Sequence, residues 1–268
     1  MAGRYRGLVS LHDWMHPDRL RERASSFGPA AALYDRVRPS YPAAAVDWAL
    51  GPLGSGRWRV IDVGAGTGIM TRLLLSLGHD TIPVEPDEQM RQRLADTTEA
   101  GCVAGSAESI PLDDSAADGA IAAQAYHWFD RDRAHAELAR VIRPGGVFAA
   151  VWNDRDESVN WVIEYSHIVE GDRGPDGSGA DMARGRLESY GQNFGPVESA
   201  VFRHSVRHTP DSLVSLLKSR SYFLTASPER RTALEAEVRA LAMEHPDLAG
   251  NSEFELPYVT VAYRARRI

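Results

Sequence analysis

Residues 59–68 run Arg59-Val60-Ile61-Asp62-Val63-Gly64-Ala65-Gly66-Thr67-Gly68. A short apolar strand feeds a loop with glycine at every second position, and an apolar stripe follows at Met70, Leu73, Leu74 and Leu77. Those spacings of i, i+3, i+4 and i+7 mark a helix. Strand, glycine turn and helix start together build the ligand-cradling corner of an open α/β sheet. Glycine permits turns that a Cβ would block, so a ligand can press against bare main chain.

The glycine spacing narrows the ligand. In a dinucleotide fingerprint the last glycine falls five residues after the first. Here the third glycine, Gly68, comes one residue early. Glu85 closes the next apolar run, Thr81-Ile82-Pro83-Val84, where a carboxylate takes both hydroxyls of a ribose. Asp62 is a second acid beside the turn, and it would repel a pyrophosphate but attract a cationic amino group. The corner therefore suits a nucleoside carrying a positive amino-acid tail better than it suits NAD. The competing reading is a structural turn in which Asp62 only caps backbone amides.

Asp62-Val63-Gly64-Ala65-Gly66-Thr67-Gly68 resembles the first motif of class I S-adenosylmethionine (SAM)-dependent methyltransferases. Val84-Glu85-Pro86-Asp87 with Met90 is similar to their ribose-binding segment, and Gly105-Ser106-Ala107-Glu108-Ser109-Ile110-Pro111 to their adenine-edge segment. Ala139-Arg140-Val141-Ile142-Arg143-Pro144-Gly145-Gly146 is similar to their helix–turn–strand after the fourth strand. The four motifs stand in the family's order over residues 55–152. Tyr34-Asp35-Arg36-Val37-Arg38-Pro39-Ser40-Tyr41-Pro42 and Gln124-Ala125-Tyr126-His127-Trp128-Phe129 resemble the trans-aconitate-methyltransferase-like branch, which methylates small molecules and carries a type 11 methyltransferase domain.

The resemblance implies a seven-stranded, mostly parallel, doubly wound Rossmann-like sheet with an antiparallel edge hairpin and a small helical cap. One domain over 1–268 is expected: an N-terminal helical segment over the cofactor (1–58), a SAM-binding core (59–152), and cap helices, a flexible loop and the edge hairpin (153–268). Periodicity places strands near 59–63, 80–84, 101–104, 117–123, 146–152, 196–207 and 257–265. Helices are expected near 67–77, 87–95, 131–141, 211–219 and 228–244, and the alternation means parallel βαβ units. One or two helices broken at Pro39 and Pro42 are expected over 27–58. Residues 171–186 hold five glycines and a proline with little apolar content, which reads as a loop or mobile lid.

Site roles follow from the resemblance. Gly64 and Gly66 would contact the methionine part of SAM, Asp62 its amino group and Glu85 the ribose. Pro86 and Met90 would face the purine, and Ser106, Ala107 and Glu108 the adenine edge. Glu108 reads equally well as a helix-starting acid. Gln124 and Ala125 would lie beside the methionine tail, with Tyr34 and Arg38 folding over the cofactor. Arg38 would pair with the methionine carboxylate, or with Asp35 or Asp47 at the surface. His127 follows the fourth strand and titrates near neutrality, which suits a catalytic base or a substrate contact. Trp128 and Phe129 would form an apolar wall with Tyr126 as a further substrate contact, or else Tyr126, Trp128 and Phe129 pack the core. Arg155, Arg184, Arg186 and Arg220 are candidates for clamping an acidic substrate.

Composition agrees. The 268 residues are 43% hydrophobic, enough for a sizeable core. A net charge of −7 argues against a nucleic-acid partner. Cys102 is the only cysteine, so no disulfide framework or cysteine-rich metal site forms within the chain. His12 and His16 stand four apart without an evident third ligand, and His204 and His208 would lie about 13 Å apart on a strand; no metal is expected. No apolar run reaches membrane-span length and no secretory signal is visible, so a cytoplasmic protein is expected. The reading is SAM-dependent methyl transfer to a small molecule, at a carboxylate or hydroxyl oxygen, yielding S-adenosylhomocysteine. A non-enzymatic SAM-binding protein and an NAD-dependent reductase are the rivals.

Overall fold

A computed structural model describes residues 31–170, 187 and 189–268. The expected loop over 171–186 and the pair His12 and His16 lie outside the described residues, as do Arg184 and Arg186. Seven strands form one sheet: β1 (Arg59–Val63), β2 (Asp80–Glu85), β3 (Val103–Ala104), β4 (Ala117–Ala123), β5 (Ile142–Arg155), β6 (Glu198–His208) and β7 (Phe254–Arg266). Their order is β3-β2-β1-β4-β5-β7-β6. The first five are parallel, and β7 runs antiparallel to both β5 and β6. Sequence order reverses between β1 and β4, and the crevice outside the strand ends at such a switch point is where open α/β sheets bind ligands.

The helices are α1 (Ala31–Val37), α2 (Ala43–Leu50), α3 (Ile69–Ser76), α4 (Glu88–Thr97), α5 (Arg131–Val141), α6 (Asn160–Glu170), α7 (Pro210–Lys218), α8 (Ser221–Thr225) and α9 (Pro228–Glu244). The central strands are apolar on both faces because helices cover both. Ile61, Val63, Phe148, Ala150 and Trp152 pack with Leu138 of α5. Val60, Val147, Ala149 and Val151 pack with Val46, Leu50, Met70 and Leu74 of α2 and α3. A third core joins α6, α7 and α9 through Trp161, Val162, Tyr165, Leu213, Leu217, Leu234 and Val238 to Leu256 and Tyr258 of β7.

The expected strands all form. β5 starts four residues earlier than expected, because Ile142 already pairs with Ala117 before a register shift. Gly146 sits in that irregularity, where a Cβ would overlap the Asp118 carbonyl oxygen. Helices α6 and α8 fall outside the expected helices. The α6 stripe of Trp161, Val162, Tyr165 and Val169 becomes legible only with the distant α7 and α9 that bury it. Among the described residues, no helix is long and apolar enough to cross a membrane.

Candidate active site

The turn after β1 is built as its sequence requires. Gly64, Gly66 and Gly68 have φ of +70°, +56° and +87°, conformations that strain any residue with a Cβ. A Cβ on Gly64 would stand 2.7 Å from the Ala125 Cβ, so the turns after β1 and β4 touch there. A Cβ on Gly66 would meet nothing within 4 Å. The open side of the turn is therefore at Gly66.

Two acids flank it. Asp62 is fully buried, and its Oδ2 accepts a 2.6 Å hydrogen bond from the Thr71 hydroxyl. Its Oδ1 is buried with no partner. Burial raises the Asp62 pKa to about 7, with the nearby Glu85 adding to the rise and the Thr71 bond opposing it. Glu85 ends β2, and burial raises its pKa as well. Its Oε2 accepts the Gly66 N–H and its Oε1 the Asp87 N–H, both at 2.9 Å. A carboxylate has about four lone-pair sites, so each oxygen keeps one for a ligand hydroxyl. Asp87 caps α4 by accepting from the Met90 N–H, which places Met90, buried, and Pro86, exposed, beside the acid.

The turn over Ser106–Ser109 closes on itself through reciprocal backbone bonds and buries Ala107. No helix begins at Glu108, which corrects the helix-start alternative. Its carboxylate instead accepts from the Asp130 N–H, tying this turn to the start of α5. At the end of β4, Gln124 holds φ +55°, a strained backbone for a residue with a side chain. Its Nε2 donates to the Asn153 carbonyl oxygen at 2.7 Å.

The N-terminal helices are fastened over these strand ends. Asp35 of α1 takes ion pairs from Arg72 (2.5 Å) and Arg93 (3.0 Å) of α3 and α4. Asn153 Nδ2 donates to the Ser40 carbonyl oxygen. Arg38 lies 4.7 Å over the Tyr34 ring and donates to the hydroxyl and carbonyl oxygens of Ser219 in the cap. Three residues were not singled out from sequence. The Tyr41 hydroxyl is held well above its usual pKa, first by burial and then by the fields of Tyr34 and Asp62. Thr67 has a buried hydroxyl without a partner. Asn153 pins the N-terminal segment. Thr67 and Tyr41 lie inside the family-like motifs, whereas nothing in the sequence around Asn153 marks it.

The segment after β4 divides. The expected substrate contact at Tyr126 does not form, because the structure turns its side chain into the core. It is fully buried, its hydroxyl is 2.8 Å from His135 Nε2, and Phe148, Trp152 and Tyr190 surround its ring. His127 and Trp128 are half-buried with their rings 4.6 Å apart. Burial lowers the His127 pKa to about 4, and Trp152 Nε1–H donates to its Nδ1 at 3.4 Å. Of the candidate arginines, Arg155 donates to the Ser166 hydroxyl and lies over the Tyr165 ring. Arg220 sits between α7 and α8 with its Nε buried and without a partner.

Residues 61–150 match the methyltransferase domain family. An uncharacterized methyltransferase of Mycobacterium tuberculosis is 42% identical over 250 residues, covering 91% of this chain and 97% of the relative. A malonyl-(acyl-carrier protein) O-methyltransferase of Methylococcus capsulatus is 35% identical over 133 residues, 46% of this chain and 48% of that protein. A solved structure from Anaeromyxobacter dehalogenans, described as a candidate type II methyltransferase, superposes with a TM-score of 0.64 at 28% identity, over 86% of this chain and 97% of that one. With the sheet order and the glycine turn, these similarities place the chain in the class I SAM-dependent methyltransferase family.

Proposed function

We propose that this methyltransferase binds SAM on the β1 turn and methylates an oxygen of a small-molecule acceptor. The observation that carries the cofactor placement is the buried, unpartnered Oδ1 of Asp62 beneath a turn whose Gly66 faces open space. An orphaned buried carboxylate oxygen is costly, and an ammonium donor satisfies it. The residues present thus fit the group. Asp62 would hold the amino group and Glu85 the ribose hydroxyls. Pro86 and Met90 would cover the purine, and Ser106, Ala107 and Glu108 would border the adenine edge. Gln124 and Ala125 would flank the methionine chain under Tyr34 and Arg38. When bound, SAM supplies an electrophilic methyl group on a sulfonium.

The chain's own contribution is positioning and exclusion of water, which supply much of the rate in such transfers. The cap of α6, α7 and α9 and the fastened N-terminal segment are suited to that enclosure. This reading treats 1–268 as one domain: a cover (1–58), a cofactor core (59–152), and a cap with edge hairpin (153–268). The name of the Methylococcus relative favours oxygen as the acceptor atom. The test has two parts. SAM and S-adenosylhomocysteine should raise the melting temperature while NADH does not, and turnover across a metabolite panel should produce S-adenosylhomocysteine. Stabilisation by NADH alone, or cofactor binding without turnover on any oxygen acceptor, would overturn it.

A further inference from the structure

On the sheet face under the cap lies a second set of buried polar atoms left without partners. Tyr258 of β7 is opposite Arg155 of β5 and His204 of β6 in the strand register. Residues directly opposite share a face with their Cβ atoms about 5 Å apart. Tyr258 is almost wholly buried, His204 stacks on its ring at 5.5 Å, and its hydroxyl has no hydrogen-bond partner. Arg220 Nε is likewise buried without one. Arg38 reaches the neighbouring Ser219. Among the described residues, the charges acting on the Tyr258 hydroxyl are all positive: Arg220, then Arg155, then Arg38.

A buried phenol O–H and a buried guanidinium Nε–H, each without a partner, can both donate to one shared acceptor. An oxyanion fits that place, because a charged acceptor binds both donors more strongly than a neutral one.

We propose that Arg220 and Tyr258, with Arg155 beside them, form an oxyanion pocket that holds a carboxylate carried by the methyl-acceptor substrate. This rests on the cofactor placement above. The other source of a carboxylate is the methionine end of the cofactor itself. Tyr258 stands on β7, three strands from β1 in the order β1-β4-β5-β7. Three strand spacings amount to about 14 Å. The amino and carboxylate groups of an amino acid share one carbon, so a cofactor whose amino group meets Asp62 does not present its carboxylate to β7. The pocket recognises and orients the acceptor, and it requires nothing of the atom that is methylated.

The test uses the full chain saturated with S-adenosylhomocysteine. Short aliphatic and aromatic mono- and dicarboxylates are titrated in by calorimetry, each against its amide. At least one acid should bind about tenfold or more tightly than its amide, and Arg220→Met and Tyr258→Phe should each remove about that preference. Without ligands, Tyr258→Phe should melt no lower than wild type, because the lost hydroxyl had no partner. S-adenosylhomocysteine affinity should be the same in both variants as in wild type. No acid preferred over its amide, or variants that bind acids like wild type, would overturn the pocket. A clear fall in melting temperature for Tyr258→Phe would also overturn it. Weakened S-adenosylhomocysteine binding with unchanged 5′-methylthioadenosine binding would assign the carboxylate to the cofactor and overturn the substrate claim. If wild type binds no S-adenosylhomocysteine while the acid preference stands, the cofactor placement fails and the pocket does not.

Discussion

Glu85 Oε2 accepts the Gly66 N–H at 2.9 Å, so the acid that ends β2 also holds the glycine turn that follows β1. One carboxylate thus has two tasks, one structural and one facing the ligand. Removing it loses the bonds from Gly66 and Asp87 as well as any contact to a ribose. Glu85→Ala should cost about 1–3 kcal/mol of ligand-free stability. Glu85→Gln keeps an acceptor oxygen and should cost less. Denaturant melts of both variants check this, and equal midpoints for all three proteins would show that the turn is held otherwise.

Asp62 yields a pH prediction. Its pKa of about 7 in the folded chain exceeds the ordinary 3.8. The folded state therefore binds the extra proton, and the stability this group confers is full below about pH 4 and lost as pH rises through about 7. Asp62→Asn should flatten that decline in the ligand-free protein. A cationic amino group pulls the other way, because it favours the ionised acid. S-adenosylhomocysteine affinity should rise from pH 6 to pH 8 in wild type and lose that rise in Asp62→Asn. The same slope in both proteins would remove Asp62 from the amino-group contact.

His127 should not behave as a base of ordinary histidine pKa. Its pKa lies near 4, and Trp152 donates to Nδ1, so the neutral ring carries its proton on Nε2 and presents a donor. With a competent acceptor, kcat should show no acid limb near pH 6.5, and His127→Ala should lower kcat less than about tenfold while raising KM. A hundredfold fall in kcat together with a limb near 6.5 would make it the base.

The turn glycines should separate fold from binding. Gly66→Ala meets no atom, so its cost is the left-handed backbone alone, about 1–2 kcal/mol. Its methyl group would point into the space assigned to the cofactor. Gly64→Ala collides with Ala125 and should destabilise more. Thermal melts and S-adenosylhomocysteine titrations of both variants check the order. Gly66→Ala with wild-type affinity would place the ligand elsewhere.

Much of this fold was legible in sequence because its signals are local. The β1 turn, the acid ending β2 and the alternation of strands with helices each need only a few adjacent residues. What was not legible depends on distant partners. Tyr126 looks like a substrate contact until His135 and Tyr190 enclose it. Arg155 and Arg220 could not be ranked until Arg155 found Ser166 and Arg220 Nε was left alone. Tyr258 carried no signal at all, because its meaning lies in the β5–β7–β6 register and in the cap above it.

Calorimetric titration of S-adenosylhomocysteine into wild type and Glu85→Ala, at a temperature where both are folded, tests the cofactor placement most directly. Loss of charge-assisted bonds costs about 1.5–3 kcal/mol each. Wild type should bind at one site, and Glu85→Ala should bind at least about tenfold more weakly. Equal affinities in the two proteins would contradict the site.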